Sequence, residues 1–374
     1  MRKANLIIIR QEYERANHID LWNEISKKSN DITIIVNIGA DLIVSLYKRK
    51  LYRIKDALGS AKKISENLYV IRPLYLLRPE ISNNTINKIN MKILKRNLDK
   101  ILGNSDEYEF NYLFYGGRWL EILEKSALFN YTPYYYITDE WRKNGFDDSY
   151  NQVQIKLDEF ACEKSKCIFL ASPKLLEERE KFSEKLRVIG NGASKKRAME
   201  SIEQIVNSIG IIGNFRDWID EELFEELVKK RSDLHFGIVG NIEQNMKNYV
   251  DNILQKYNNV KYYGKVSKVE VVSWYKKFNV VIVPYKINEF MAATRPLKIV
   301  EAVFSETPVV TVPVTGYEEA EFIRFAATLN EFSNEIDFLI ENGINLESDE
   351  YKDFIKLNSW EDKAGQIIKE FNKV

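Results

Sequence analysis

The segment Pro284–Thr311 constrains the fold of this 374-residue chain more than any other stretch. A short apolar run, Asn279–Val283, precedes it and is typical of a buried parallel strand. A polar loop follows, and Arg295-Pro296 then predicts the start of a helix, because proline is favoured in the first helical turn. The apolar run 309–312 predicts the next strand. The loop therefore lies at the carboxyl end of a strand, where ligands bind in open α/β sheets.

Two charged residues, Lys298 and Glu301, lie three apart and so share one face at the start of this helix. A lysine there is unfavourable for the helix dipole unless an anion binds at the same place. The carboxylate one turn later has the acceptor oxygens that a ribose diol requires. The alternative is an exposed ion pair on a surface helix, and the two charges alone do not decide between these interpretations.

Length and composition predict two ordinary domains with full cores, since 45% of the residues are hydrophobic and 12% are aromatic. The net charge is zero, but residues 1–100 hold 20 Lys+Arg against 10 Asp+Glu. A basic N-terminal part suggests an anionic partner such as a lipid surface, and the alternative is a basic face without a partner. Nothing in the composition suggests nucleic acid as that partner.

Several classes of protein are poorly supported. No apolar run approaches the ~18 residues of a membrane helix, and the N-terminus does not resemble a signal peptide. Two cysteines suit a reducing, cytoplasmic compartment, and two histidines give little support to zinc chemistry or a Ser-His-Asp triad. No Asp-x-Asp occurs, so a metal-bridged diphosphate site is not indicated, and we expect neither a metal nor a bound cofactor.

Strands and helices alternate along the whole chain, which predicts two α/β domains with parallel sheets. In the second half, strands ending at 212, 239 and 263 are each followed by glycine and then a helix. This arrangement lines backbone N–H groups along one sheet edge, and Arg216 is placed to bind a diphosphate bidentately. The predicted donor residues are Gly213, Asn214, Arg216, Gly240, Tyr285, Pro296, Leu297, Lys298 and Glu301.

The first half offers candidates for a second substrate at its own strand ends. His18 follows the first strand and would touch a phosphate or hydroxyl, or it is only a helix-start residue. Gly116-Gly117-Arg118 would receive an anion at a helix N-terminus, or it forms only a tight turn. Asp139, Glu140 and Trp141 follow another strand, where Asp139 is a candidate general base or a helix N-cap.

Two stretches read as basic helices in this half. Asp41–Leu58 predicts one long helix, with Leu46, Tyr47, Leu51 and Ile54 on its apolar side. Asn87–Leu102 predicts a second, with Ile89, Ile93, Leu94 and Leu98. Their lysines and arginines, within Lys48–Lys55 and Lys92–Lys100, together favour docking on an anionic membrane surface. The alternative is a pair of sheet-covering helices with solvated outer faces.

These motifs together resemble those of the GT-B glycosyltransferases. The segment from Asn259 to Thr311 is similar to their nucleotide-sugar region, written N-V-x-F-x-G through P-L-K-x-x-E to P-V-V. The segment 209–220 resembles the first strand and loop of their donor domain, and 186–193 resembles their interdomain V-I-x-N-G. "RANHID" and "YYITDEW" resemble segments of relatives that build bacterial surface polysaccharides, including teichuronic-acid type transferases. The resemblance extends from residue 15 to about 311.

The resemblance implies two Rossmann-like domains facing a cleft, with a C-terminal helix crossing back. We expect domains at 1–197 and 198–358, and the helix at 359–374. It also implies a nucleotide diphosphate-sugar, with UDP-sugar favoured, bound by the second domain, and a glycan or lipid-linked acceptor bound by the first. Lys298 matches the family's diphosphate-binding lysine and Glu301 its ribose-binding glutamate.

Three positions depart from the family pattern. Retaining family-4 enzymes have Glu-x7-Glu here, but Ala293 stands in the first position. The family's Arg…Lys pair is reduced to Arg216, and Glu306 replaces a glycine. Loss of the first glutamate resembles inverting xanthan-type glucuronosyltransferases, in which an N-domain aspartate is the base, and Asp139 would be that residue. The expected activity is metal-independent glycosyl transfer for bacterial surface polysaccharide or glycoconjugate synthesis. A GT-B sugar-nucleotide epimerase and a non-catalytic partner remain alternatives.

Overall fold

The computed structural model describes residues 1–9, 13, 16, 18–37, 41–49, 54, 57, 61–140, 142, 148–195, 203–267 and 269–373. The chain divides into two compact units. Unit 1 comprises Met1–Ile189 and Lys363–Val374, and unit 2 comprises Gly190–Asp362. The divisions predicted from sequence are at 197/198 and 358/359. The chain therefore passes between the units twice, at 189/190 and at 362/363.

Among its described residues, unit 1 contains an eight-stranded sheet in the order β3-β4-β2-β1-β5-β6-β7-β8. All neighbouring pairs are parallel except β3 with β4. The strands are β1 (Arg2–Ile9), β2 (Ile32–Asn37), β3 (Lys62–Ser65), β4 (Leu68–Ile71), β5 (Tyr108–Phe114), β6 (Asn130–Ile137), β7 (Cys167–Leu170) and β8 (Leu186–Val188).

The helices of unit 1 cover this sheet, together with 3₁₀ segments. The α-helices are α1 (Ile19–Lys28), α2 (Leu42–Tyr47), α3 (Asn84–Leu102), α4 (Gly117–Ser126) and α5 (Asp148–Lys164), and the 3₁₀ segments are Pro79–Ile81 and Pro173–Lys185. A third 3₁₀ turn, Ser105–Glu107, leads into β5. Strands β1 and β5 are buried along nearly their whole length, because both faces of the sheet are covered.

Unit 2 is built in the same way around a parallel sheet, whose described strands run β11-β10-β9-β12-β13-β14. These are β9 (Ser208–Ile212), β10 (His235–Val239), β11 (Val260–Tyr262), β12 (Val280–Val283), β13 (Val309–Thr311) and β14 (Ile323–Phe325). The helices are α6 (Glu221–Lys230), α7 (Lys247–Lys256), α8 (Val271–Lys277), α9 (Glu289–Ala293), α10 (Leu297–Phe304), α11 (Leu329–Asn342) and α12 (Asp349–Leu357), with a 3₁₀ turn at Gln244–Met246. Helix α13 (Trp360–Phe371) begins in unit 2 and continues in unit 1.

The prediction of one long helix over Asp41–Leu58 is wrong. Helix α2 ends at Tyr47, and Arg49 has a left-handed backbone with φ 51°, which a continuing α-helix does not allow. Leu46 and Tyr47, predicted on the apolar side of this helix, are 53% and 86% exposed. Positions 50–53, 55, 56 and 58 of this prediction lie outside the described residues.

Two other predictions also change. The polar loop before Arg295 contains the short helix α9, which Asn288 caps by accepting a hydrogen bond from the Met291 amide. In α3, Ile89, one of the four apolar residues predicted for this helix, is 43% exposed, and the buried face includes Asn90. The Asn90 carboxamide bonds the backbone at Leu76 and Leu77, so it ties α3 to the chain after β4.

Candidate active site

Two glycines place the first two strand ends of unit 2 in direct contact. Gly213 follows β9 with φ +120°, and Gly240 follows β10 with φ +131°. A Cβ added to Gly240 would lie 2.0 Å from the Gly213 carbonyl oxygen, so only glycine permits this approach. The Gly240 amide donates to the Gly264 carbonyl at 2.9 Å, which continues the same edge to β11. The predicted alignment of strand-end glycines is therefore present.

Lys298 lies at this edge. It is in the first turn of α10, where Pro296 is the N-cap and Leu297 the first helical residue. A Cβ on Gly213 would lie 3.3 Å from the Lys298 Nζ, and that Nζ lies 5.0 Å from the centre of the Tyr285 ring. Among the described residues, no carboxylate pairs with Lys298. Its ammonium thus lies beside the β9 backbone and an aromatic face, with donors available for an anion.

Arg216 is connected to the same edge through aromatic rings. Its guanidinium stacks on Trp218 at 4.0 Å, and Trp218 is tilted against Tyr285 with the ring centroids 6.1 Å apart. Its Nε lies 3.2 Å from Asp217 and its Nη1 3.4 Å from Glu243. Arg216 is thus already paired with two carboxylates, which a diphosphate would have to replace. Asn214 is exposed beside it.

Glu301 lies one turn after Lys298, half-buried, and its Oε2 accepts a hydrogen bond from the Tyr275 hydroxyl at 3.3 Å. Tyr275 is 1% exposed, and burial together with the Glu301 charge raises the pKa of its phenol well above 10, so the phenol remains a donor. Sequence reasoning missed Tyr275, since it is an ordinary helix residue 26 positions before Glu301.

In unit 1, three aromatic rings meet where β1, β5 and β6 end. His18 stacks on Tyr115 with centroids 5.5 Å apart, and Tyr136 lies 5.5 Å from His18 and 5.4 Å from Tyr115. The Trp22 indole donates to the Tyr115 hydroxyl at 2.7 Å. His18 and Tyr115 are half-buried, whereas Tyr136 is buried beneath them. The predicted acceptor residue His18 thus belongs to an aromatic cluster at a strand-end edge.

Asp139 and Glu140 follow β6 and differ sharply in environment. Burial raises the pKa of the Asp139 carboxyl, and a hydrogen bond from the Thr138 side chain only partly opposes this effect. Asp139 is half-buried, so part of its side chain is still accessible. A raised pKa is what a general base working near neutral pH requires.

Glu140 is 2% exposed, and both of its carboxylate oxygens are bonded to arginines. Arg142 Nε lies 2.6 Å from Oε1 and Arg179 Nη1 2.9 Å from Oε2. Burial alone would raise the pKa of Glu140, but the hydrogen bonds and charges of the two arginines lower it to about 2. Arg179 also bonds Asp158 at 3.1 Å. Glu140 therefore has a structural role, and the acceptor-binding role predicted for it is corrected.

Two further acceptor predictions also change in this structure. A Cβ on Gly117 would lie 2.1 Å from the Leu157 carbonyl, so this glycine allows α4 to pack closely against α5 and is buried. Arg118 pairs with Glu121 and donates to the Ser82 carbonyl at 3.3 Å, which ties α4 to the segment before α3. Trp141 lies outside the described residues.

No group of three or more His, Cys, Asp or Glu that could hold a metal ion occurs among the described residues. None of the described helices has both the length and the apolar character needed to cross a bilayer.

Comparisons with known proteins extend these observations. Residues 206–342 match the family described as glycosyl transferases group 1. Sucrose-phosphate synthase from Thermosynechococcus elongatus superimposes with a TM-score of 0.67 at 13% identity, over 99% of this chain and 98% of the other. HepE from Anabaena, solved with UDP-glucose, superimposes with a TM-score of 0.65 at 13% identity over 100% of both chains.

The chain has the GT-B glycosyltransferase fold. A third GT-B structure, TarM from S. aureus, gives a TM-score of 0.64 at 15% identity over 100% of this chain and 99% of the other. Such low identities establish the fold alone, whereas the family match falls on the unit that contains Gly213, Lys298 and Glu301. A comparison with curated protein sequences found no match. The predictions of a GT-B fold and of two parallel-sheet domains are confirmed.

Proposed function

We propose that this GT-B protein transfers a sugar from a nucleoside diphosphate donor to a glycan or lipid-linked acceptor. The observation that carries the proposal is the position of the Lys298 ammonium, beside the Gly213 backbone at the first turn of α10. A lysine without a carboxylate partner among the described residues, at a helix N-terminus, forms a site for a diphosphate. Glu301 is one turn away, where a ribose diol would follow the diphosphate.

UDP-sugars are the donor class we favour. HepE is solved with UDP-glucose, and a TarM structure contains UDP and a GlcNAc-glycerol. The fold is shared, and the strand-end glycines leave the backbone open to a pyrophosphate. Lys298 and Arg216 would neutralise the charge that develops on the leaving diphosphate, a task that metal ions perform in other enzymes. We therefore propose metal-independent transfer, for which activity should survive EDTA.

The proposed chemistry is an inverting displacement. The acceptor hydroxyl oxygen bonds to the anomeric carbon while its proton passes to a carboxylate oxygen of Asp139. The bond from the anomeric carbon to the diphosphate oxygen breaks, and its electron pair leaves with the diphosphate. The half-buried position of Asp139 at the end of β6 and its raised pKa support this role. The rings of His18 and Tyr115 provide faces on which an acceptor sugar would stack.

The acceptor is proposed to belong to bacterial surface polysaccharide or glycoconjugate synthesis, at the cytoplasmic face of the membrane. A WaaB structure of the same fold is described as a lipopolysaccharide outer core galactosyltransferase. Unit 1 exposes Ile43, Leu46 and Tyr47 on α2, with Lys48 and Arg49 directly after them. Exposed apolar side chains beside exposed basic ones suit docking on an anionic lipid surface.

The test is donor turnover by the purified chain. Incubation with UDP-glucose, UDP-galactose, UDP-GlcNAc and UDP-glucuronate should release UDP from one of them, slowly without acceptor and faster with an added membrane lipid extract. Calorimetry should show UDP binding that the Lys298→Ala variant loses. Absence of both UDP binding and UDP release, with GDP- and dTDP-sugars also inactive, would refute the proposed function.

A further inference from the structure

Arg295 is a buried cation, only 9% exposed, and it lies just before helix α10, whose first turn contains Lys298. Each part of its guanidinium has a neutral acceptor: Nε bonds the Gly316 carbonyl at 3.0 Å, Nη1 the Asn191 carbonyl at 3.0 Å, and Nη2 the Asn358 Oδ1 at 2.7 Å. Its plane lies 4.3 Å from the centre of the Tyr317 ring. No carboxylate among the described residues pairs with it, which is unusual for a buried charge.

These bonds join α10 to segments that are distant in sequence. Asn191 comes directly after the first passage of the chain between the units, and Asn358 comes shortly before the second. The Ala193 amide donates to the Asn358 carbonyl at 2.9 Å, and the Trp360 amide donates to the Ala193 carbonyl at 3.0 Å. Within unit 2, Arg295 therefore bonds both connecting segments, and it is itself the residue directly before Pro296.

The same bonds fix the start of α10 from several sides. The Asn191 carboxamide donates to the Arg295 carbonyl at 2.6 Å, and the Tyr317 hydroxyl donates to the Pro296 carbonyl at 3.1 Å. Proline and these two bonds leave the first turn little freedom, and Lys298 is in that turn. The position of the Lys298 ammonium is thus set by contacts that Lys298 does not itself make.

We propose that Arg295 is a positioning residue for the diphosphate site, transmitting the conformation of the connecting segment at Gly190–Asn191 to Lys298. The inference rests on the proposed donor site. It predicts that diphosphate binding responds to a change at Gly190, a residue far along the sequence from α10. Its physical basis is the planar guanidinium, which bridges three acceptors at fixed angles as an ammonium cannot.

Gly190 offers a specific way to displace the guanidinium. Its φ is +72°, and an added Cβ would lie 1.7 Å from Arg295 Nη1. Gly343 provides the matched control, because its φ is +63° in the same unit and an added Cβ there would meet nothing within 4 Å. Both alanine variants carry the backbone strain of a left-handed residue, but only Gly190→Ala moves Arg295.

The experiment compares the wild type with Arg295→Lys, Gly190→Ala and Gly343→Ala by calorimetry with UDP and with uridine. We expect Arg295→Lys and Gly190→Ala to weaken UDP binding by about 10-fold, because displacements near 1 Å have effects of that order or larger. Uridine binding should stay near that of the wild type, and Gly343→Ala should match it for both probes. A loss equal for UDP and uridine, or equal in both glycine variants, would overturn the proposal.

Hydrogen exchange tests the same inference without any ligand. The amides of residues 297–304 should exchange faster in Arg295→Lys and Gly190→Ala than in Gly343→Ala, whereas those of α7 should not change in any of the three variants. Unchanged exchange in α10 would overturn the positioning role even if UDP binding fell. Failure of the wild type to bind UDP, GDP, ADP or dTDP would count against the proposed function, while the exchange result would still decide the role of Arg295.

Discussion

Asp139 and Glu140 are adjacent, but the structure predicts opposite consequences when each loses its charge. Glu140 is buried between Arg142 and Arg179, so Glu140→Gln leaves the buried Arg179 and the half-buried Arg142 short of a partner. At the 2.9 Å separation from Arg179 and an effective dielectric constant of ~20, the pair attraction is about 6 kcal/mol before desolvation is subtracted. Breaking such a buried pair from one side typically costs about 3–5 kcal/mol of unfolding free energy.

The pKa shift of Glu140 gives a similar contribution to the unfolding free energy. Its pKa falls from an ordinary 4.5 to about 2 in the folded chain, which corresponds to about 3 kcal/mol. Because the folded pKa is depressed, this stability is fully present above pH 4.5 and is lost as the pH falls towards 2. The wild type should therefore be more stable than Glu140→Gln at pH 7, and the difference should shrink across that window.

The charge of Asp139 has the opposite effect on folding stability. Burial raises its folded pKa above 3.8, so the ionised carboxylate costs stability at neutral pH, and this cost disappears below pH 3.8. Asp139→Asn should be at least as stable as the wild type at pH 7 while lowering turnover by ~10²–10⁴-fold, the usual scale for loss of a general base. Glu140→Gln should keep turnover within about tenfold of wild type wherever it is folded.

Urea unfolding between pH 2 and pH 8, followed by circular dichroism, measures both stability effects, and UDP release measures turnover. A Glu140→Gln loss below about 1 kcal/mol at pH 7 would contradict the buried-pair reasoning, since solvated pairs contribute no more than that. An Asp139→Asn variant with full turnover would refute the base assignment. The pair of variants thus separates the structural carboxylate from the chemical one.

Three further outcomes are expected. Lys298→Ala should weaken UDP binding far more than uridine binding, because its contact is with phosphate, and equal losses by calorimetry would contradict this. Tyr275→Phe removes a hydrogen bond to Glu301 worth about 1 kcal/mol, so it should weaken UDP and uridine alike, by about fivefold. Flotation with anionic liposomes should show binding at low salt that falls at high salt and is reduced by Leu46→Glu with Tyr47→Glu. Binding that is absent at low salt, or unchanged in that variant, would exclude docking through α2.

The features that could be predicted from sequence are local ones. Gly213, Gly240 and Lys298 each lie within a few residues of a strand or helix end, and a parallel sheet places those ends at one edge. Sequence reasoning therefore located that edge of unit 2 correctly. The strand ends predicted at 212, 239 and 263 lie within one residue of the observed ends, whereas β3, β4, β14 and the helices α5, α11 and α12 were not predicted. The turn at Lys48–Arg49 interrupts a helical period without any glycine or proline to indicate it.

The roles that could not be predicted depend on distant partners. Glu140 looks like a site residue until Arg179, 39 positions later, is seen to bond it. Gly117 looks like an anion-binding glycine until α5 is seen against it. Arg295 carries no sequence sign of its contacts with Asn191 and Asn358, because those contacts exist only after the chain has folded. In each case the side chain's type was informative, but its partner determined its role.

The position of Ala293 bears on the stereochemistry of the proposed reaction. Retaining relatives have a carboxylate eight residues before the glutamate equivalent to Glu301, but Ala293 is 5% exposed here, at the end of α9. The turns on either side are bonded locally: the Thr294 hydroxyl donates to the Met291 carbonyl and the Thr315 hydroxyl to the Ala292 carbonyl, both at 2.8 Å. A carboxylate at this packed position would be buried without a partner, which is expensive. The segment is therefore packed without that group, and in the proposed inverting reaction the carboxylate would come from elsewhere in the chain. Asp139, half-buried and with a raised pKa, is the residue that we propose for this role, whereas its neighbour Glu140 is already held by two arginines.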